Sequence, residues 1–191
     1  MITNAEGGLP PLLFVHIPKT AGMTLRAHLN AMGQDKWNKP WPKLHCPYHV
    51  IKQHNDIGPD VFKFAVVRNP FTRTYSYFRF LTRFFDWNIN FNEWLNVSEY
   101  DNKMTEITSL SAYDQSFYIF HNGKTEMDKI YRYENMKELE EDLNISMEVK
   151  INVGIYTKEE YYKDYTPSVI DRVRKICARD FELLGYSDEF S

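Results

Sequence analysis

The sequence has few cysteines, no long apolar run and no excess of positive charge, and each of these features excludes a class of protein. The two cysteines, Cys46 and Cys177, are too few for a disulfide framework, so we expect reduced thiols in a cytoplasmic protein. No apolar stretch approaches the roughly twenty residues that a membrane-spanning helix needs, and the polar N-terminus lacks the basic start of a signal peptide. The net charge of −3 argues against a general nucleic-acid-binding protein, but it is compatible with a local basic pocket for a small anion.

The order of apolar segments predicts the fold class. Apolar runs at 12–17, 61–67 and 129–133 predict three buried strands, and each is followed by a segment with helical periodicity. Alternating strands and helices are typical of a three-layer α/β fold of the P-loop-like kind, with a central parallel β-sheet flanked by helices. We therefore predict one such domain over residues 1–191, with the loops that follow the strands along one sheet edge.

The stretch IPKTAGMT, residues 17–24, passes directly from the first predicted strand into a helix. Such a turn presents backbone N–H groups and the positive end of the helix dipole to an anion. Gly22 permits close approach of a ligand, Lys19 adds a charge, and Thr20, the predicted N-cap, and Thr24 add hydroxyl groups. Because the Lys precedes the Gly, the order differs from that of a triphosphate loop, and a kinase or GTPase is disfavoured. An ordinary strand–helix turn with a solvated Lys19 is the alternative.

A second strand–turn–helix segment, VVRNPFTRTYSYF at 66–78, predicts a second anion site. Arg68 ends the strand, and Asn69 with the proline after it predicts a helix start. Ser76 lies almost two helical turns beyond Asn69, on the same face, so Arg68 and Ser76 can converge on one phosphate. Two separate anion sites suit a nucleotide that carries a 5′-phosphosulfate and a 3′-phosphate.

These motifs resemble those of the sulfotransferases that use 3′-phosphoadenosine-5′-phosphosulfate (PAPS), and most closely the carbohydrate-type branch with its small bacterial relatives. The segment HIPKTAGMTL (16–25) is similar to the 5′-phosphosulfate loop of that family, and FKFAVVRNPFTRTYSYF (62–78) is similar to its 3′-phosphate motif. IYRYENM (130–136) and RDFELLGY (179–186) resemble weaker family signatures. The resemblance implies a single sulfotransferase domain, PAPS as the sulfate donor, 3′,5′-adenosine bisphosphate as the product and no required metal.

The resemblance also implies which residues bind the donor. It assigns the 5′-phosphosulfate to Lys19, Thr20, Ala21, Gly22, Met23 and Thr24, and the 3′-phosphate to Arg68 and Ser76. Met23 stands where many relatives carry a small or hydroxyl residue. Arg132 is a further candidate for the nucleotide, with an ion pair to Glu134 as its alternative. Lys19 would neutralise the charge that grows on the leaving phosphate oxygen, whereas we interpret Arg73 as structural, pairing within its helix or with a neighbouring acid.

Sulfuryl transfer also needs a base for the proton of the acceptor hydroxyl, and histidine titrates in the right range. The segment KLHCPYHVIKQH supplies three histidines. The resemblance favours His45, which is followed closely by a proline ahead of the 3′-phosphate strand, and then His49. We expect a packing role for His16, and Glu93 remains open as a carboxylate base.

The acceptor predicted from the resemblance is a hydroxyl-bearing small molecule or a carbohydrate. We expect it over the sheet edge, lined by the irregular segment 34–60 and by part of 80–115. Aromatic residues that can stack on a sugar or enclose an apolar acceptor are Trp37, Trp41, Phe84, Phe85 and Trp87. A P-loop-type phosphotransferase and a non-catalytic nucleotide-binding module of the same fold remain as alternatives. The sequence does not indicate the oligomeric state.

Overall fold

The computed structural model describes residues 2–3, 8–34, 45–96, 114–147 and 156–191. Contacts divide the chain into two compact units, one of residues 1–68 and 117–152 and the other of residues 69–116 and 153–191. Trp37, Trp41 and the 97–113 part of the predicted acceptor-binding region lie outside the described residues. The single domain over 1–191 stays a prediction.

Short strands and helices alternate along the described chain. The strands are β1 (Leu12–Val15), β2 (Phe62–Val67), β3 (Phe120–His121), β4 (Lys124–Thr125) and β5 (Lys129–Arg132). The helices are α1 (Gly22–Ala31), α2 (Tyr48–His54), α3 (Pro70–Phe84), α4 (Phe91–Asn96), α5 (Ser116–Ile119), α6 (Met136–Leu143), α7 (Lys158–Asp164), α8 (Pro167–Ile176) and α9 (Ala178–Leu184). A 3-10 turn, Tyr133–Asn135, joins β5 to α6.

A parallel three-stranded sheet in the order β1–β2–β5 forms the centre of the first unit. Val15 pairs with Ala65, and Val67 pairs with Arg132, so the three strands end at the same edge. Every residue of β1 is buried, as expected for a parallel strand whose two faces are both covered. The core contains, with other residues, Phe14, Phe64 and Tyr131 from the strands and Leu25 and Leu139 from α1 and α6. The predicted α/β class with a parallel sheet flanked by helices is confirmed.

The start of α1 differs from the prediction in one respect. Its N-cap is Ala21, which has φ 66° and ψ 14°, and not Thr20. The Thr20 hydroxyl instead donates to the Ile17 carbonyl oxygen at 2.9 Å, so this side chain holds the loop together and does not cap the helix. α2 lies within the segment 34–60, for which the sequence predicts a long ordered loop or short helices.

The second unit has an aromatic core built from α3, α4, α7, α8 and α9. Phe71, Tyr75 and Phe78 of α3 lie in it with Trp94 and Tyr165. The predicted helix start is confirmed, since the Asn69 side chain accepts from the N–H groups of Phe71 and Thr72 and a proline follows at the first helical position.

Thr166 with Pro167 and then Gly185 predict the two ends of one C-terminal helix, but the structure has two helices there, α8 and α9. The chain leaves the helical conformation at Cys177, which has φ −99° and ψ 17°, between α8 and α9. Asp180, in the first turn of α9, accepts from the backbone N–H groups of Gln115 and Ser116 at 2.8 Å each. The predicted end at Gly185 is confirmed, because this residue adopts a left-handed conformation at φ 62°.

Candidate functional site

The carboxyl edge of the parallel sheet brings three turns of the first unit together. The loop of residues 16–21 follows β1, Arg68 follows β2, and Tyr133 follows β5. In parallel α/β sheets ligands bind at this edge, since the backbone leaves each strand there and turns into a helix. Two of the three turns belong to the segments that the sequence predicts as anion sites.

The backbone of the first turn is shaped to present N–H groups. Lys19 and Ala21 both have left-handed φ angles, 67° and 66°, which cost about 1–2 kcal/mol for a residue with a side chain. Among the described residues no side chain caps the start of α1, and its first turn contains no acidic residue. A helix start of this kind offers backbone donors and a partial positive charge to an anion. Strain of this kind at a candidate ligand site is typical of functional loops.

The other predicted loop residues occupy different environments. Gly22 and Thr24 are buried in the first turn of α1, whereas the side chain of Met23 is 41% exposed. The hydroxyl hydrogen of Thr20 is engaged with the Ile17 carbonyl oxygen. Thr20 therefore has its backbone N–H, rather than its hydroxyl hydrogen, to give to a ligand.

Lys19 and Arg68 are brought together by the fold. The Arg68 Nη1 donates to the Lys19 carbonyl oxygen at 3.3 Å, which joins the turns after β1 and β2. Burial, and then the charge of Arg68, lower the pKa of Lys19 to about 8. Arg68 thus disfavours the charge of Lys19 at a partly buried helix start, and an anion bound there would relieve the repulsion.

Tyr133 is a residue of this site that sequence reasoning missed. The Arg68 guanidinium lies over its ring, 4.3 Å from the ring centre, in a cation–π contact. The signal available in the sequence is an aromatic residue at the end of the predicted strand 129–133. Arg132, the predicted nucleotide contact, is exposed at the end of β5, where it pairs with Val67.

Three predicted residues lie in the second unit. Ser76 is 5% exposed on α3, and its 3′-phosphate role stays a prediction. Arg73 is fully buried; burial raises the pKa of the Asp180 carboxyl group to about 7, and the charge of Arg73 opposes that shift. The Glu93 carboxylate accepts from the Asn90 N–H, and the Glu93 N–H donates to the Asn90 Oδ1, which is a reciprocal capping arrangement at the start of α4.

His45 lies against the first anion loop. Its Nδ1 is 3.0 Å from the carbonyl oxygen of His16, and their ring centres are 4.2 Å apart. Because a carbonyl oxygen only accepts, Nδ1 carries the hydrogen, and in the neutral ring Nε2 is the nitrogen that can accept a proton. This is the tautomer that a general base requires.

His49 lines a cleft of about 770 Å³ between α2 and the β3–β4 hairpin. Its ring stacks on His121 with the centres 5.0 Å apart, and burial followed by the charge of His121 lowers the pKa of His49. Lys52 of α2 forms an ion pair of 2.6 Å with Glu126, which joins the helix to the segment after the hairpin. No sequence pattern predicts the hairpin side of this cleft, because β3 and β4 have only two residues each.

The comparison with protein families finds a match over most of the chain. Residues 10–187 match the model described as the Sulfotransferase family. The chain belongs to this family. The match includes both segments that the sequence predicts as anion sites, 16–25 and 62–78, and a PAPS-dependent sulfotransferase is implied. Comparison with curated proteins and with solved structures gives no match.

Two further observations concern metals and membranes. In the described part of the chain, no group of three or more His, Cys, Asp or Glu side chains is placed to hold a metal ion. No helix among the described residues is both long enough and apolar enough to span a bilayer.

Proposed function

We propose that this sulfotransferase moves the sulfuryl group of PAPS to a hydroxyl group of a carbohydrate or a related metabolite. The contact between Arg68 and the Lys19 carbonyl oxygen carries the proposal, because it joins the two predicted anion motifs at one sheet edge. The residues there suit a doubly phosphorylated nucleotide, which needs one cradle for each anionic end.

The first of the two proposed anion-binding sites is the start of α1. Its N–H groups and the Lys19 ammonium would hold the 5′-phosphosulfate. Arg68 would bind the 3′-phosphate with its forked donors, and the resemblance adds Ser76. Tyr133, stacked on Arg68, holds the guanidinium plane in position.

The chemistry requires charge neutralisation and removal of a proton. When bound, PAPS supplies the sulfuryl group and leaves as 3′,5′-adenosine bisphosphate. Lys19 provides a positive charge where negative charge develops on the leaving group, and the low polarity of its partly buried position strengthens that interaction. The protein's own cations serve this purpose, so the proposal requires no metal.

We assign the role of base to His45. The hydrogen bond to the His16 carbonyl oxygen fixes its ring and leaves Nε2 as the acceptor for the hydroxyl proton. His49 is the second candidate, two residues after Pro47 and on the wall of the cleft. The stacking of the His49 ring on His121 orients the ring but does not determine which of its two nitrogens carries the hydrogen.

The cleft between α2 and the hairpin is the acceptor site we favour. Its volume is in the range of small-molecule pockets, and α2 begins three residues after His45. Imidazole, ammonium and amide groups line it, together with the aromatic rings of Tyr48 and Tyr118. Such a mixture suits the hydroxyl groups and apolar faces of a sugar.

The decisive experiment is a thermal-unfolding titration with 3′,5′-adenosine bisphosphate in the absence of metal. We expect stabilisation that grows with ligand excess and reaches about 2.7 kcal/mol at one hundred times Kd. ATP with Mg²⁺ serves as the comparison. Stabilisation by ATP with Mg²⁺ and none by the bisphosphate would favour a phosphotransferase and defeat the proposal. Binding of the bisphosphate without transfer to any of a broad set of acceptors would indicate a non-catalytic module.

Replacing His45 with Gln should remove the base and leave the donor site intact. We expect kcat to fall by about 10²- to 10⁴-fold, while Kd for the bisphosphate stays unchanged. Single-turnover transfer and isothermal titration measure the two quantities. His54→Gln is the matched control, because His54 ends α2 and is exposed. If kcat is lost in His49→Gln and retained in His45→Gln, the base is His49.

A further inference from the structure

The imidazole ring of His16 fills the space next to the Gly22 α-carbon. A β-carbon built on Gly22 would lie 1.9 Å from both Cδ2 and Nε2 of that ring, far inside contact distance. Gly22 does not have a positive φ, since the described glycines that do are Gly33, Gly123 and Gly185. The backbone therefore tolerates any residue at position 22, and the ring of His16 is what demands glycine there.

The ring cannot easily move away, because other aromatic rings hold it. Phe14 stacks on it with the centres 5.5 Å apart, and His45 packs its edge against it at 4.2 Å. Only 3% of His16 is exposed. One residue thus contacts the start of α1 through its ring and His45 through both its ring and its carbonyl oxygen.

The side chain of His16 is uncharged and contacts its neighbours by packing. Its Nδ1 is buried and has no hydrogen-bond partner among the described residues. Burial, and then the charges of His45 and Arg26, lower the pKa of His16 well below its usual value, so the ring is uncharged near neutral pH. The ring therefore acts through its shape.

We propose that His16 is a positioning residue that sets the separation between the first turn of α1 and His45. Its ring holds the helix start at Gly22, and its carbonyl oxygen holds the Nδ1 hydrogen of His45. The inference rests on the proposed function, which gives the helix start to the sulfate donor and His45 to the acceptor hydroxyl.

A double-mutant cycle tests the proposal. Gly22→Ala alone places a methyl group against the His16 ring, and we expect it to raise Kd for 3′,5′-adenosine bisphosphate at least tenfold. In the His16→Ala background the imidazole is absent and the methyl group has room. We therefore expect Gly22→Ala to change Kd for the bisphosphate by less than about threefold in that background. Equal effects in both backgrounds would overturn the proposal.

The single variant His16→Ala distinguishes a positioning role from a purely structural one. If His16 positions the helix start and His45, His16→Ala should lower kcat and raise Kd for the bisphosphate by amounts that the loss of stability does not explain. A purely structural role predicts a lower Tm alone. Leu29→Ala is the control, because Leu29 is buried in the hydrophobic core of the first unit and lies in a later turn of α1, away from Gly22. We expect Leu29→Ala to lower Tm and leave Kd unchanged. If His16→Ala also changes only Tm, the positioning role is wrong.

The cycle can also be measured as free energy of unfolding, without a ligand. Coupling between positions 16 and 22 in stability, combined with no binding of the bisphosphate by the unaltered protein, would overturn the proposed function and the positioning role while leaving the contact established. Binding by the unaltered protein without coupling would overturn the inference alone.

Discussion

Replacing Lys19 with Ala is expected to lower kcat for sulfuryl transfer by about 10²- to 10³-fold, the usual cost of removing one group that stabilises charge in a transition state. The fold should remain, because Lys19 lies in a loop and its side chain is only partly buried. Binding of 3′,5′-adenosine bisphosphate should weaken by about tenfold, as expected for one hydrogen bond to a charged group. Transfer kinetics measure kcat, and calorimetric titration of the same preparation measures Kd for the bisphosphate.

Lys63→Ala is the control for the Lys19 substitution. Lys63 lies near the start of β2, at the opposite end of the strand from Arg68, and forms an ion pair of 3.0 Å with Asp128. Its removal deletes the same charge from the chain without touching the carboxyl edge of the sheet. Full activity in Lys19→Ala, or equal losses in the two variants, would defeat the role assigned to Lys19.

The pH dependence of binding gives an independent check on Lys19. Its pKa in the folded protein is about 8, lowered first by burial and then by Arg68, so the ammonium is charged below that pH and neutral above it. Affinity for the bisphosphate should therefore be greatest below pH 8 and fall as the pH rises through 8. In Lys19→Ala this decline should disappear.

Replacing Arg73 with Met is expected to destabilise the second unit by about 3–5 kcal/mol, the range for leaving a buried charge uncompensated, because the charge of Arg73 acts on the buried carboxyl group of Asp180. Arg73 is fully buried on α3, and Asp180 is fully buried on α9. Burial and a hydrogen bond with Asp114 raise the pKa of Asp180, whereas Arg73 and the N–H groups of Gln115 and Ser116 lower it. Without Arg73, the carboxyl group must either stay charged in an apolar core or bind a proton.

The matched control is Arg79→Met on the same helix. Arg79 forms an exposed ion pair of 3.3 Å with Glu160, which contributes about 0–1 kcal/mol. Denaturant unfolding of both variants measures the difference. The Arg73→Met penalty should shrink as the pH is lowered, because Arg73 favours the charged form of Asp180 and protonation removes that interaction. Similar small losses in both variants would show that Arg73 and Asp180 do not stabilise each other.

The local pattern of the sequence determined where the chain turns. The apolar run before residue 16 gave β1, and the pair Asn69–Pro70 gave the start of α3 with its cap. Gly185 gave the end of α9. These features depend on residues within a few positions of one another, so periodicity and capping chemistry are sufficient to locate them. The two anion motifs were found for the same reason, since each lies within one strand–turn–helix segment.

Tertiary structure alone decided which distant groups meet. The Arg68 contact with the Lys19 carbonyl oxygen, the hydrogen bond from His45 to the His16 carbonyl oxygen and the break at Cys177 have no local signal. The first depends on the parallel pairing of β1 with β2, and the second on the return of the chain after α1. Gly22 shows the difference most clearly: the sequence predicted a glycine for the approach of a ligand, and the packed structure shows that a buried imidazole 6 positions earlier already requires it. Side-chain packing acts between residues far apart in the chain, and no pattern of neighbours encodes it.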